Sequence, residues 1–381
     1  MCNCVGGMKK TRLVKWLALA IMLPILIFGV TVLAFIANPR AITSVFFGVN
    51  TEPISLPILS TFEPKVPDEK TRKIVTATKA FLATLDRAQL EEIMFEFGDH
   101  RQRTNWSNFP EGMIPRGGLK LGKLSPNQRG LLDDILKQVL SDRGFENIQR
   151  QLETEDTLTQ LPFMKYGSSH FYVAILGEPT MSLPWMLQFG GHHLAINATI
   201  YGADLSLSPM LTGGQPLHLS SLGSASIVDD EILALKAFIE SLTAEQRAMA
   251  NVSIVIADLQ HGPGKFGRKA DRQGISGEAL SPSQKRLLLN LVSSRVTFIN
   301  EDDYAATMKS VENQIDSTMF GIWGQLDKFG FAYYRIVGPT VLIEYAPQIE
   351  GEDDQRVEHL HSIYRNPSND YGFGMGITGI R

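Results

Sequence analysis

Cysteine is nearly absent from this chain: two occur in 381 residues, Cys2 and Cys4. Both precede an apolar run, so everything after it is free of thiols. No disulfide framework, zinc–thiolate site, iron–sulfur cluster or cysteine nucleophile can be built there. An excess of positive charge is also missing. Residues 1–40 hold Lys9, Lys10, Arg12, Lys15 and Arg40 and no acid. That is five of the 36 basic side chains, leaving 31 against all 40 acidic ones, a formal −9 for the remainder. Such a surface repels phosphate backbones, and no basic stripe interleaved with aromatics offsets it, so nucleic acid is not expected as a partner. There is no Gly-x-Ser-x-Gly elbow for a serine hydrolase of that class. One run, Gly262-Pro263-Gly264-Lys265-Phe266-Gly267, satisfies G-x-G-x-x-G. Pro263 disturbs its turn and no amphipathic helix follows to face a pyrophosphate, so no nucleotide cofactor is expected. At 44% hydrophobic and 20% charged residues the remainder is ordinary globular chain, with room for about two domains of roughly 100–200 residues.

What is present begins with export. Residues 1–16 form a positive, cytoplasmic n-region, in which Met8-Lys9-Lys10 reads as the start of a conventional export signal. Leu17 to Ala37 then run 21 residues without charge, about 31 Å as a helix. That is one bilayer core, and longer than the usual signal-peptide core. Residues 17–37 are therefore expected to be a transmembrane anchor or a signal peptide. Residues 41–381 are then extracytoplasmic, membrane-anchored through the N-terminal helix, or secreted if the signal is cleaved. Prolines at 39, 53, 57, 64 and 67 mark residues 38–67 as an irregular tether.

The rest reads as two similar units, 68–226 and 227–381, packed as one globular module. KAFLATL at 79–85 matches KAFIESL at 236–242, and Leu124-Ser125-Pro126 matches Leu280-Ser281-Pro282. A Leu-(Ser/Thr/Asp)-x-x-Gln capping box recurs after Leu85, Leu124, Leu242 and Leu280. Helix-start chemistry alone could produce such matches, so duplication rests on their closely matched spacing, 39 residues from Leu85 to Leu124 and 38 from Leu242 to Leu280, and on the shared KAF[LI] run. The stretch 171–179 is aligned with 333–339. Helices are expected at 68–96, 126–143, 229–249, 282–297 and 303–319. Strands are expected at 171–177, 193–201, 252–258, 332–337, 341–346 and 357–364. The fold class is α+β: two duplicated helix-helix-strand-strand units with a mainly antiparallel sheet, preceded by the N-terminal transmembrane or signal helix.

Histidine carries the strongest chemical signal. Alternation along a strand would put His192 with the core and His193 beside Asn197 and Thr199. His359 and His361 are two apart and share one strand face. Paired imidazoles with a carboxylate suit a divalent metal, Zn, Fe, Mn or Cu. His192, His193, His359 and His361 are thus candidate ligands. Asp99, Glu344 and Asp370 are candidate carboxylates, with Glu344 and Asp370 as candidate catalytic groups. Arg335, Arg365 and Tyr364 could clamp an anionic group of a small ligand. Trp185 could line an aromatic pocket with Asn197 nearby, though a core position is the plainer reading for the tryptophan. Asn366-Pro367 and Asn369-Asp370 could equally form a turn in which Arg365 only pairs with Asp370.

These same residues resemble a known family. Trp185…Gln188-Phe189-Gly190-Gly191-His192-His193-Leu194…Asn197, Tyr334-Arg335…Gly338-Pro339…Ile343-Glu344-Tyr345, and His359-x-His361…Tyr364-Arg365…Pro367…Asn369-Asp370-Tyr371-Gly372 resemble the exported proteins of domain-of-unknown-function family 3500, across about residues 70–375. The resemblance implies an exported single module and no particular reaction. Asn366 stands where Asp is expected in that family's Arg-Asp-Pro. The functional expectation is a metal-dependent enzyme, hydrolytic or oxidative, on a small or carbohydrate-like polar substrate. The alternative is a metal-free ligand-binding or structural module of the cell envelope.

Overall fold

The computed structural model describes residues 33, 37–47, 50–161, 164–218, 228–266, 270–328, 330–348 and 357–378. In chain order the first half holds α1 (Pro39–Phe47), α2 (Glu69–Leu82), α3 (Arg87–Ile93), β1 (Met94–Phe95), α4 (His100–Arg103), β2 (Leu119–Lys120), α5 (Pro126–Val139), α6 (Asp142–Asp156), β3 (Tyr172–Leu176), β4 (Trp185–Gly191), β5 (Leu194–Tyr201) and β6 (Asp204–Gly214). The second holds α7 (Asp229–Ser241), α8 (Ala244–Ala250), β7 (Asn251–Ser253), β8 (Ile275–Ser276), α9 (Pro282–Val296), α10 (Glu301–Asn313), β9 (Met319–Trp323), β10 (Tyr333–Val337), β11 (Leu342–Gln348) and β12 (His359–Arg365). The fold is α+β with a large, mostly antiparallel sheet. Apart from residues 33 and 37, the segment 17–37 and its anchor-or-signal expectation lie outside the described residues. Among those described, no helix is long and apolar enough to cross a membrane.

Local capping chemistry sets where the helices start. All four expected capping boxes form: Asp86–Gln89, Ser125–Gln128, Thr243–Gln246 and Ser281–Gln284. In each, the cap side chain accepts the N3 amide and the glutamine returns to the cap backbone. Two boxes fall inside the helices expected at 68–96 and 229–249 and split each in two, because a cap residue must leave helical geometry. The glutamines then pair. Gln128 Nε2 donates to Gln89 Oε1 at 3.0 Å, and Gln284 Nε2 to Gln246 Oε1 at 2.7 Å. Each local signal is thereby turned into a helix–helix contact. The helix expected at 303–319 ends at Asn313, because β9 begins at Met319. α6, β4 and β6 were not among the expected elements.

The sheet runs β1-β3-β4-β5-β6-β12-β11-β10-β9-β7, with β2 on β3 and β8 on β9. Its order reads alike from either edge. β1 is parallel to β3 (Met94 opposite Ile175), β7 is parallel to β9 (Asn251 opposite Ile322), and the halves meet at the antiparallel β6–β12 seam. By position β3 corresponds to β9 and β4 to β10, so the alignment of 171–179 with 333–339 matches strands that do not correspond. One sheet face is apolar (Val173, Leu187, Ile196, Ile322, Ile336, Ile343) and packs on the helices through Ile74, Ile135, Ile148, Phe238, Leu288 and Val311. The opposite face carries Gln188, Asn197, Arg335, Glu344, His361 and Arg365, all buried. Segments around 50–62, 97–116, 258–266, 270–273 and 366–378 cover it. The stretch expected as a tether takes part in this cover. Leu59 N donates to Ile377 O at 2.9 Å, and buried Arg40 donates to the Thr51 and Pro115 carbonyls.

Candidate metal centre

Four histidines gather at one end of the sheet. His192 and His193 are not strand residues: Gly191 pairs with Leu194, so they form the two-residue turn of the β4–β5 hairpin. His193 sits in the left-handed region at φ 58. A non-glycine residue there costs roughly 1–2 kcal/mol, and a two-residue hairpin turn commonly uses such positive φ. His359 and His361 lie on β12, two apart and on one face as expected. His361 is opposite Gly213 on β6. Continuing the register that sets Ala195 opposite Leu211 puts Gly213 between His193 and His361. With no side chain at that position, the imidazoles meet across it. A Cβ on Gly213 would come within 2.1 Å of Leu360 O. Gly213→Ala is therefore expected to part the seam and lower stability by about 1–3 kcal/mol in urea unfolding. An unchanged midpoint would contradict this close approach.

His193 Nε2 lies 3.0 Å from His359 Nε2. The ligating atoms of His193, His359 and His361 all fall within 4.8 Å of one another, as do those of Glu155, His192 and His193. Two ligands about 2.1 Å from one ion and roughly at right angles stand about 3 Å apart, so the spacing fits. Histidine and glutamate groups here can thus hold a metal. Burial, with the adjacent His192 and His359, pushes the His193 imidazole well below its usual pKa. Burial and the other three rings do the same to His361. Both are held neutral, the form that ligates. Asn108 packs on the site: its amide is 3.4 Å from His361 Nε2, and its carbonyl accepts from His193 N. His359 and His361 form part of the wall of a cavity of about 520 Å³, with Asn108, Phe109, Asp258, Gln260, Lys265 and Gln348 among its other lining residues.

Glu155, near the C-terminus of α6, is the carboxylate that meets the imidazoles: Oε1 is 2.8 Å from His192 Nδ1. Sequence reasoning missed it. The available signal was polar residues at helical spacing, Asn147, Gln151 and Glu155, all buried.

The other candidates lie elsewhere on the sheet. Glu344 accepts from His261 N at 2.7 Å, from Gln260 N at 3.2 Å and from the Tyr333 hydroxyl. Burial by itself would raise its pKa. The His261 ring and backbone and the Tyr333 hydroxyl outweigh it and hold the carboxyl below the usual range. Asp370 accepts from Arg365 at 2.6 Å and from Ser208 Oγ at 2.7 Å, with Arg365 and Asp370 both fully buried. Arg365 also donates to the carbonyls of His261 and Gly262. The turn reading of 366–372 thus describes their packing. Arg335 donates to Gln260 and Gln273 and stacks on Trp323. Asn197 joins Gln188 to Pro209 O. Trp185 and Tyr364 face the helices in the main core. Asp99 caps α4.

Replacing Glu344 by Gln would keep one oxygen acceptor and set an amide N–H₂ against the backbone N–H of either Gln260 or His261, an expected loss of about 1–3 kcal/mol in urea unfolding. The lowered folded pKa gives the sign of the pH dependence. The carboxylate contributes fully above its unfolded pKa of about 4.3, and the contribution is lost as pH falls through the lower folded value. The gap between wild type and Glu344→Gln should therefore narrow below about pH 4; a constant gap would show that the charge is irrelevant.

Residues 67–373 match the family model described as Protein of unknown function (DUF3500). Comparison with curated proteins and with solved structures gave no match.

Proposed function

The chain belongs to the DUF3500 family, and from the geometry of its own residues we propose that it is a metal-dependent enzyme acting on a small, carbohydrate-like polar substrate. The observation that carries this reading is the convergence of three imidazoles, His193, His359 and His361, two of which also line a cavity large enough for such a substrate. Three protein ligands with one side open is the arrangement of catalytic rather than structural metal positions. A divalent ion held there supplies Lewis-acid polarisation and lowers the pKa of water, which favours hydrolysis. The chain's own residues do the rest. Asn108, Gln260 and Gln348 present amides to hydroxyl groups, Phe109 and Leu259 offer an apolar wall, and Lys265 accepts a negative charge.

Glu344 and Asp370 serve in this reading as positioning residues. Glu344 holds the backbone of residues 260–261, and Asp370 acts through Arg365 on residues 261–262. Both steady the segment that walls the cavity. The N-terminal charge pattern supports an exported, membrane-anchored protein, and the matching order of the half-sheets supports two copies of one unit.

A metal-free binding module is the second reading. It is favoured by a neighbouring cavity of about 620 Å³, lined by Ile54, Leu56, Phe266 and Phe373, which shares Gln260 and Lys265 with the first. Chelator-stripped and metal-reloaded protein, assayed on a panel of glycosides and polar esters, separates the two. Turnover restored only by metal is the expected result. Ligand binding that ignores the chelator would favour the second reading.

A further inference from the structure

Glu155 is 1% exposed, and neither of its carboxylate oxygens meets a hydrogen-bond donor. Its Oε1 stands 2.8 Å from His192 Nδ1 and 3.3 Å from His193 Nδ1, yet neither ring N–H would point at it, and both nitrogens also lack a hydrogen-bond partner. Among the described residues, twelve buried side-chain nitrogens or oxygens lack a partner, and five belong to Glu155, His192, His193 and His361. Such groups are rare in native structures and call for an explanation. No Lys or Arg among the described residues forms an ion pair with Glu155. The nearby Arg116, whose charge acts on Glu155 only through space, spends Nη2 on the carbonyls of Ser107, Phe109 and Gly191, and its buried Nη1 has no hydrogen-bond partner. An isolated carboxylate in this position is strongly disfavoured unless a cation accompanies it.

The distances fit a cation lying between the three groups, because 2.8 and 3.3 Å are separations of neighbouring ligands around one ion. Two histidines and one carboxylate form a recognised donor set for transition metals. Moreover, His193 turns one nitrogen to each cluster: Nε2 to His359, and Nδ1 to Glu155 and His192. The strained turn at φ 58 holds the ring between them.

We propose that Glu155, His192 and His193 form a second, enclosed position for a divalent transition-metal ion, joined to the open one through the shared imidazole of His193. The inference rests on the reading of His193, His359 and His361 as a metal position. Ligation at both nitrogens requires the ring to release its single N–H proton to solvent, which leaves an imidazolate bridge carrying one negative charge. Glu155 supplies the second negative charge of the enclosed position. The enclosed ion has a structural and electrostatic role, and the open one faces substrate.

The test uses the full chain, stripped by chelator and titrated with Zn(II) and, separately, Cu(II), with the bound metal counted after gel filtration. Two ions per chain are expected. Glu155→Ala and Glu155→Gln should each retain one, and so should His359→Ala/His361→Ala. In the two-copper form, coupling across the shared ring should suppress the electron paramagnetic resonance signal of isolated Cu(II). That signal should return in Glu155→Ala. One ion in the wild type that Glu155→Ala keeps would overturn the second position and leave the catalytic reading standing; no ion at all would remove both. Two ions with uncoupled spectra would overturn the bridge. The wild-type count and spectrum decide the matter even if a variant fails to fold.

Discussion

A chain carrying His359→Ala and His361→Ala is expected to bind one metal ion fewer than the wild type while, with both proteins stripped of metal so that ligand binding does not stabilise either, unfolding at nearly the same urea concentration. Both side chains border the cavity rather than the main core, and their β12 backbone stays paired with β6 and β11. Truncation therefore opens no enclosed void in the apolar layer. Ligation suffers far more. Outer-shell partners of metal ligands are worth about 10–100-fold in affinity, and this change removes two ligands outright, so the open position should lose more than that. Elemental analysis against the wild type checks the result. Metal retained at the wild-type level would show that the rings are not ligands. A wild type without metal after supplementation with Zn, Fe, Mn and Cu would end the enzyme reading.

Asp370→Ala is expected to cost about 3–5 kcal/mol, because it strands a charged guanidinium beneath the polar face of the sheet. Arg365 and Asp370 are fully buried and 2.6 Å apart. Burial alone would depress the Arg365 pKa, and the adjacent Asp370 outweighs it, keeping the pKa above its usual value. The loss should appear as a lower urea midpoint with an unchanged slope. The Arg365→Met/Asp370→Leu pair should recover much of it, since a buried ion pair replaced by apolar groups of similar volume is often close to neutral. It should not restore the cavity wall, because the bonds from Arg365 to the His261 and Gly262 carbonyls are gone. A single variant within about 0.5 kcal/mol of wild type, as for an ordinary surface change, would show that the pair contributes nothing to stability.

Several parts of this protein were open to reading because their causes are local. A Ser, Thr or Asp followed three residues later by Gln satisfies its own helix terminus, so all four caps are visible in a line of sequence. The same reading shows why two long helices had to break, since a cap at Asp86 or Thr243 cannot lie inside a helix. His359 and His361 share a strand face because side chains alternate with a period of two. The loss of alternation at His192-His193 was harder to see. It depends on Gly191 pairing with Leu194, a register choice that the apolar residues on both sides would also tolerate in a longer strand.

The amino-acid sequence by itself determined the α+β class, the helix starts, the absence of thiol chemistry and the residue types available to a metal. Tertiary structure alone decided which of those residues meet. Glu155 reaches the imidazoles because α6 packs against β6, where Gln151 accepts the Gly213 amide at 3.0 Å. His193 reaches His359 because the β6–β12 seam brings the β4–β5 turn beside the start of β12. Glu344 and Asp370 carry the same chemistry as Glu155, but their strands and turns direct them to Tyr333, His261 and Arg365. The physical reason is range. Caps and alternation act over a few residues, whereas a site built across a sheet depends on strand order and register, which are set by the packing of the whole apolar face.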